Sequence, residues 1–208
     1  MSMVFIKSFS APPIDRTEIL RYMGAGKSTD IHEINEALET CLDECEKIDA
    51  FAYNVCYCER DVSVSNCYVK TEDLEIKSLD LASNLKDCSK IIMFAATVGI
   101  KIDRLIEKYS SIGYASKALI FQSIGAERIE SLCDVFCKYI KNQYSQAPYN
   151  SNIRPRFSPG YGDFSIYFQN DIFRILDCHR KIGLSLCNSM MMTPSKSVTA
   201  IIGISKNK

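Results

Sequence analysis

Net charge is the first thing missing. Lys+Arg and Asp+Glu both number 25, so the long-range field that would gather nucleic acid or an anionic membrane is absent, and partner choice falls to local sites. No apolar run approaches the roughly 20 residues of a membrane span, and no apolar stretch behind a basic flank marks a signal peptide. A cytoplasmic protein with no nucleic-acid or membrane partner is expected. Histidine is scarce: only His32 and His179 occur, the first in an opening helical turn and the second beside Arg180 and Lys181. No Ser-His-Asp or Cys-His arrangement can be built from them, and no catalytic residue is assigned.

Ten cysteines are present, and without a secretory signal they read as reduced thiols. Cys41 with Cys45, and Cys133 with Cys137, lie one helical turn apart in amphipathic segments, where cysteine packs as a small apolar side chain rather than clamping a metal. Cys56 and Cys58 project to one face of a strand with no further ligand at metal spacing. No metal site is expected. The chain of 208 residues is 47% hydrophobic, enough to bury one large core, and it reads as a single domain, 1–208.

Hydrophobic period divides the chain. MVFIKSF (3–9) reads as a strand, and Asp15 with Glu18, then Asp30 with Glu33, are helix start signals. The second leads into INEALETCLDECEKI. FAYNVCYCE (51–59) and NCYVKT (66–71) are strand-like and are expected to pair. KIIMFAATVG (90–99) is a buried strand ending at Gly99, with a helix through DRLIEKYS after it. A long central helix from about Tyr114 to Lys141 places Leu119, Ile120, Ile124, Ile129, Leu132, Phe136 and Ile140 on one side. QAPYNSNIRPRFSPGYGD has no apolar period and reads as an ordered loop. A short helix near NDIFRILDCHRKI, a strand GLSLC, a Met-rich turn and a strand SVTAIIGIS complete the chain. The fold class is α+β, a twisted, mostly antiparallel sheet flanked by helices.

GAGKST (24–29) imitates the end of a phosphate-binding loop, but that motif needs Gly where Arg21 stands and a strand before it. A helix-ending glycine turn fits better. MMMT (190–193) either fills an irregular core gap or forms a soft apolar wall for a large planar ligand, with Ser189 and Ser195 as its polar rim.

RFSPGYGD, followed after a helix by KIGLSLCNSMMMTPSKSVTAIIGIS, resembles the activation domain of vitamin B12-dependent methionine synthase. The family's Arg-x-x-Pro-Gly-Tyr loop falls on Arg156 to Tyr161, and its Ile-Gly-x-x-Leu-x-x-Ser-x-x-Met-x-Pro-x-x-Ser-Val pattern on Ile182 to Val198. FAATVG and GAERIESLCD are similar to a family strand end and helix. Two departures stand out. GDFSIYF replaces a Pro-x-His-Thr stretch after the loop Tyr, and the sequence ends at GISKNK where fused domains continue into a segment with paired tyrosines.

The resemblance implies S-adenosylmethionine held against a cobalamin carried by a partner, a cobalamin-binding methionine synthase or related corrinoid protein, with a flavodoxin-type electron donor. It implies that Arg156 pairs with the methionine carboxylate and that Tyr161 lies beside ligand or corrin. Pro159 and Gly160 shape the turn, and Glu130 faces a sulfonium or amine. For Arg156 and Tyr161 the alternative is a pair that braces the loop. The function implied is a free-standing reactivation module acting in trans. The alternatives are an accessory module for another corrinoid methyltransferase that does not use S-adenosylmethionine, and an unrelated interaction protein.

Overall fold

The computed structural model describes residues 3–25, 31–145 and 151–206. From the N-terminus come β1 (Phe5–Ser8), α1 (Arg16–Tyr22), α2 (Ile31–Lys47) and the strands β2 (Asn54–Asp61), β3 (Ser63–Ser65), β4 (Tyr68–Lys70) and β5 (Glu75–Lys77). Then follow α3 (Leu79–Asn84), β6 (Cys88–Thr97), α4 (Lys101–Ser111) and α5 (Ala115–Ser145). The last third holds β7 (Ser151–Ile153), a 3-10 turn at Ile166–Phe168, α6 (Gln169–Leu176), α7 (Cys178–Ile182), β8 (Ser185–Leu186), β9 (Met192–Thr193) and β10 (Ser197–Lys206).

The apolar run at 90–99 becomes the middle strand of a five-stranded antiparallel sheet, ordered β1-β2-β6-β10-β7. Alternate residues of β6 go to opposite faces, as strand geometry requires. Ile92, Phe94 and Ala96 join one core with α2, α4 and α5, while Ile91, Met93 and Ala95 join a second core with α3, α6 and α7. A strand covered on both faces has no polar side to show, and this is why its sequence is continuously apolar. The expected α+β class and antiparallel sheet are what the structure has. Among the described residues no helix is long and apolar enough to cross a membrane.

Pairing departs from expectation at NCYVKT. It does not join FAYNVCYCE; β4 lies between β3 and β5 in a separate three-stranded sheet, with Val69 opposite Val64 and Ile76. β2 is flanked instead by β6 along its whole length and by β1 over Asn54 to Tyr57. The loop expected from 146 onward is also partly regular. Ser151–Ile153 pairs with the far edge of β10, and Phe157 exchanges both backbone hydrogen bonds with Ile201 at 2.9 Å. NDIFRILDCHRKI forms two helices rather than one, because Asp177 takes a left-handed conformation between them.

The central helix runs 31 residues, and Ile120, Ile124, Ile129, Leu132, Phe136 and Ile140 are buried along it. Leu119 is not: one residue, about 100°, away from Ile120 around the helix, it is 47% exposed. Cys41, Cys45 and Cys133 pack into the first core, and burial pushes the Cys45 thiol up to about 12.

Asp15 caps α1 as expected, accepting from the amides of Thr17 and Glu18 at 3.0 and 3.1 Å. Glu18, however, turns to Arg21, and the Asp15 amide donates instead to Glu127 on α5 at 3.2 Å. Gly24 follows α1 with φ +71°, the glycine turn the sequence suggests; residues 26–29 of that motif, and Asp30 of the second start signal, lie outside the described residues.

Glu127 and Arg128 are 3% and 2% exposed. Arg128 donates to both Glu127 oxygens at 2.5 Å and to the carbonyls of Pro12 and Pro13 at 2.6 and 2.8 Å. The Glu127 carboxylate also accepts from Ser131 Oγ at 2.7 Å. This buried network fastens the segment between β1 and α1 to the central helix. Removing one partner strands the other charge, so Arg128→Ala should cost about 3–5 kcal/mol of stability, read from the urea midpoint. The double variant Glu127→Gln/Arg128→Met should recover part of that loss.

Candidate functional site

A cleft of about 370 Å³ opens where the loop at 156–161 passes between α5 and the end of the sheet. Glu130, Arg156, Pro159 and Tyr161 line it, together with Gln169 at the start of α6 and Met192 on β9. Ser158 and the first strand residues of β10, Ser197 to Thr199, complete the walls. Gly160 stands behind the wall. Its φ is +96°, and a Cβ there would meet Ile166 Cδ1 at 3.1 Å, so glycine serves the fold of the loop.

The loop is held closed by its own backbone. The Gly160 amide donates to the Phe164 carbonyl at 2.8 Å, and the Phe164 amide donates to the Tyr161 carbonyl at 3.0 Å. Phe164 is buried and packs on Phe157 and Phe168, with ring centroids 6.2 and 5.2 Å away. Asp163 then ties the loop to α3. Its carboxylate accepts from the Leu79 and Asp80 amides at 2.7 and 3.1 Å and from the Ser78 hydroxyl, while Asp80 accepts from the Asp163 amide at 3.1 Å. The bond from Ser78, then those from the backbone amides, hold the Asp163 carboxyl below the usual range. Gly162 makes this exchange possible: with φ +53°, its missing Cβ would lie 1.9 Å from an Asp80 oxygen. Sequence reasoning missed Ser78, Asp80, Gly162 and Asp163. The only hint was the Gly-Asp pair closing the Pro-Gly-Tyr turn.

Charge gathers where the loop meets α5. Glu130 and Asp134 sit one turn apart on α5, and Arg156 donates to both, to Asp134 at 2.5 Å. The arginine is 26% exposed at its side chain, so it is neither a free fork nor a surface group; it bridges loop and helix. Burial works against its charge, but the Asp134 bond and the two carboxylates outweigh it and keep the guanidinium protonated. Bridging and cleft-lining are compatible, because a guanidinium carries five donors.

Two further polar groups of the cleft have no partners. Gln169 and Thr199 are 6% and 2% exposed, and Gln169 Oε1 and Thr199 Oγ1 have no hydrogen-bond partner. Each such orphan costs about 1–3 kcal/mol. Ser197, which also lines the cleft, is satisfied by Thr97 and the Pro194 carbonyl at 2.9 and 2.8 Å.

The methionines are neither purely core filler nor purely wall: Met192 lines the cleft, Met190 is half-buried and Met191 is 67% exposed. The serines expected beside them are engaged elsewhere, Ser189 with Cys187 at 2.9 Å and Ser195 with Asp103 at 2.7 Å. His179 bonds Ser185 and takes no part in the cleft.

Two outcomes are expected of the loop anchor. Gly162→Ala should destabilise the protein by at least the ~1–3 kcal/mol of a left-handed non-glycine residue, because Asp80 must also move; thermal unfolding checks this. A depressed Asp163 pKa means its contribution is complete above the unfolded value near 3.9 and is lost as pH falls through the folded value. The amide resonances of Gly160 and Phe164 should therefore hold constant from neutral pH down to about 4 and shift only below it.

The sequence model of the family described as vitamin B12 dependent methionine synthase, activation domain, matches residues 80–207. A crystal structure of the MetH reactivation domain bound to AdoHcy shares the fold with a TM-score of 0.72 and 14% sequence identity, over 100% of this chain and 80% of that one. No curated protein matches the chain.

Proposed function

As the chain belongs to the vitamin B12-dependent methionine synthase activation domain family, we propose that its cleft holds S-adenosylmethionine and presents it, in trans and in the cytoplasm, to a cobalamin carried by a partner methionine synthase, for reductive methylation of the inactive cofactor. When bound, S-adenosylmethionine supplies a methyl group activated by its sulfonium charge, and a flavodoxin-type donor supplies the electron. The protein's own task is binding and orientation.

The observation that carries this reading is the Arg156 bridge over Glu130 and Asp134 at the cleft wall. Where the loop meets α5, the remaining N–H groups of Arg156 can donate to a carboxylate and the two helix carboxylates can face an ammonium or sulfonium, the charges an amino-acid sulfonium brings. The residues fit the ligand in two further respects. The volume of about 370 Å³ lies in the roughly 300–1,000 Å³ range of small-molecule clefts, and the orphaned Gln169 and Thr199 oxygens supply polar contacts that the chain leaves open. Tyr161, 67% exposed at the rim, offers a ring to the corrin or the ligand. Pro159 is buried and stiffens the turn. No general base is required.

The test is calorimetry with S-adenosylmethionine, then mixing with a methionine synthase lacking its own activation domain, with its cobalamin in the Co(II) state and a flavodoxin-type reductant. Methylcobalamin formation, followed by absorbance, is the expected result. Binding without transfer would put the partner in the same polypeptide. No binding at millimolar ligand would favour an accessory module that docks on a corrinoid protein without S-adenosylmethionine. Arg156→Lys should weaken binding roughly tenfold or more, since hydrogen bonds to charged groups contribute about 1.5–3 kcal/mol and an ammonium cannot reproduce the planar fork. Tyr161→Phe should be milder if the ring supplies contact area alone.

A further inference from the structure

Gln169 and Thr199 are polar side chains of the cleft that nothing in the described structure satisfies. Their surroundings explain why they stand apart. Thr199 lies on β10 and Gln169 opens α6, so both project from regular elements rather than from the loop. The neighbouring Ser197 is saturated, and Arg156, Glu130 and Asp134 satisfy one another. The cleft thus has charged lining residues on the loop and α5 and neutral ones on α6 and β10, and the neutral ones include two buried oxygens with no partner.

The chemistry of that capacity is specific. An amide oxygen only accepts, whereas a hydroxyl both donates and accepts. Their complement is a group that donates one hydrogen and accepts another side by side, as the amine and adjacent ring nitrogen of an aminopurine do. A carboxylate gives Gln169 Oε1 nothing to accept, and an ammonium cannot receive the Thr199 hydrogen. A pair that costs stability while unpaired, held on rigid elements, is suited to recognition, because a site built to hydrogen-bond a ligand rejects one that leaves its buried groups unpaired.

We propose that Gln169 and Thr199 are specificity-determining residues that read the amine-and-ring-nitrogen edge of the ligand's base, while Arg156 takes the amino-acid end. This rests on the reading that the cleft holds S-adenosylmethionine. It fixes the direction in which the ligand lies, with its base toward α6 and β10 and its charged end toward α5.

Calorimetry and thermal unfolding of the full chain test it, with S-adenosylhomocysteine, methylthioadenosine and methylthioinosine as probes. Thr199→Val and Gln169→Leu each remove an orphan without cutting a bond, so the ligand-free melting temperature should hold or rise. Both variants should bind S-adenosylhomocysteine and methylthioadenosine roughly tenfold more weakly, the loss of about one well-made hydrogen bond. Methylthioinosine, with a carbonyl in place of the amine, should bind the wild type more weakly than methylthioadenosine, and that difference should vanish in Gln169→Leu. Arg156→Lys should weaken S-adenosylhomocysteine and spare methylthioadenosine, which lacks the amino-acid end. Variants that lose melting temperature but keep wild-type affinity would make the pair structural and overturn the inference while the cleft's assignment stands. A wild type that takes neither adenosine compound at millimolar concentration overturns the assignment and this inference with it.

Discussion

The burial of β6 on both faces is the constraint to which the other elements answer. Each of its side chains needs an apolar cover, and the two cores that provide it are assembled from different parts of the chain, one from α2, α4 and α5 and the other from α3, α6 and α7. Because successive residues alternate between the faces, a one-residue slip against β2 or β10 would exchange the two sets of side chains and leave neither core filled. The sheet register is therefore strongly specified. β10 inherits it, and Ser197 to Thr199 arrive at the cleft in a fixed order because Ile201 and Ala200 are locked opposite Met93 and Phe94.

On this rigid base the loop at 156–164 is clamped from three sides. Phe157 is stitched to Ile201, Asp163 exchanges bonds with the start of α3, and Arg156 bridges to α5. These contacts join both cores through one short segment, so the cleft wall moves only if helices on opposite faces of the sheet move with it. Such immobility is what the proposed function asks of the site, since precise placement is there the protein's main contribution.

The same clamps give Arg156 two roles that the sequence presents as alternatives. It braces the loop through the α5 carboxylates, and it lines the cleft with donors to spare. Elsewhere in the cleft Gln169 and Thr199 keep unpaired oxygens, as Asn84 Oδ1 and Arg154 Nε do outside it, whereas the buried Glu127 and Arg128 network is closely satisfied.

Much of this was legible in the chain. Period alone identified α2, α4, α5 and the doubly buried β6, because apolar spacing records which face of an element meets a core. The Arg-x-x-Pro-Gly-Tyr and Pro-x-x-Ser-Val motifs located both walls of the cleft, since each is a contiguous local conformation. What only the tertiary structure decided was partnership across distance. NCYVKT was recognisable as a strand, but its neighbours, β3 and β5, are segments its own pattern does not point to. Leu119 fell into an apolar list, yet it lies half exposed in a surface cleft between α5 and α2. The Gly-Asp after Tyr161 became an anchor only because α3, some 80 residues earlier in the chain, presents Ser78 and Asp80 to it. Gln169 and Thr199 carry no signal in their own neighbourhoods, because an unsatisfied polar atom is defined by what surrounds it in space, and local sequence encodes conformation and periodicity but not the identity of the groups that distant segments bring alongside.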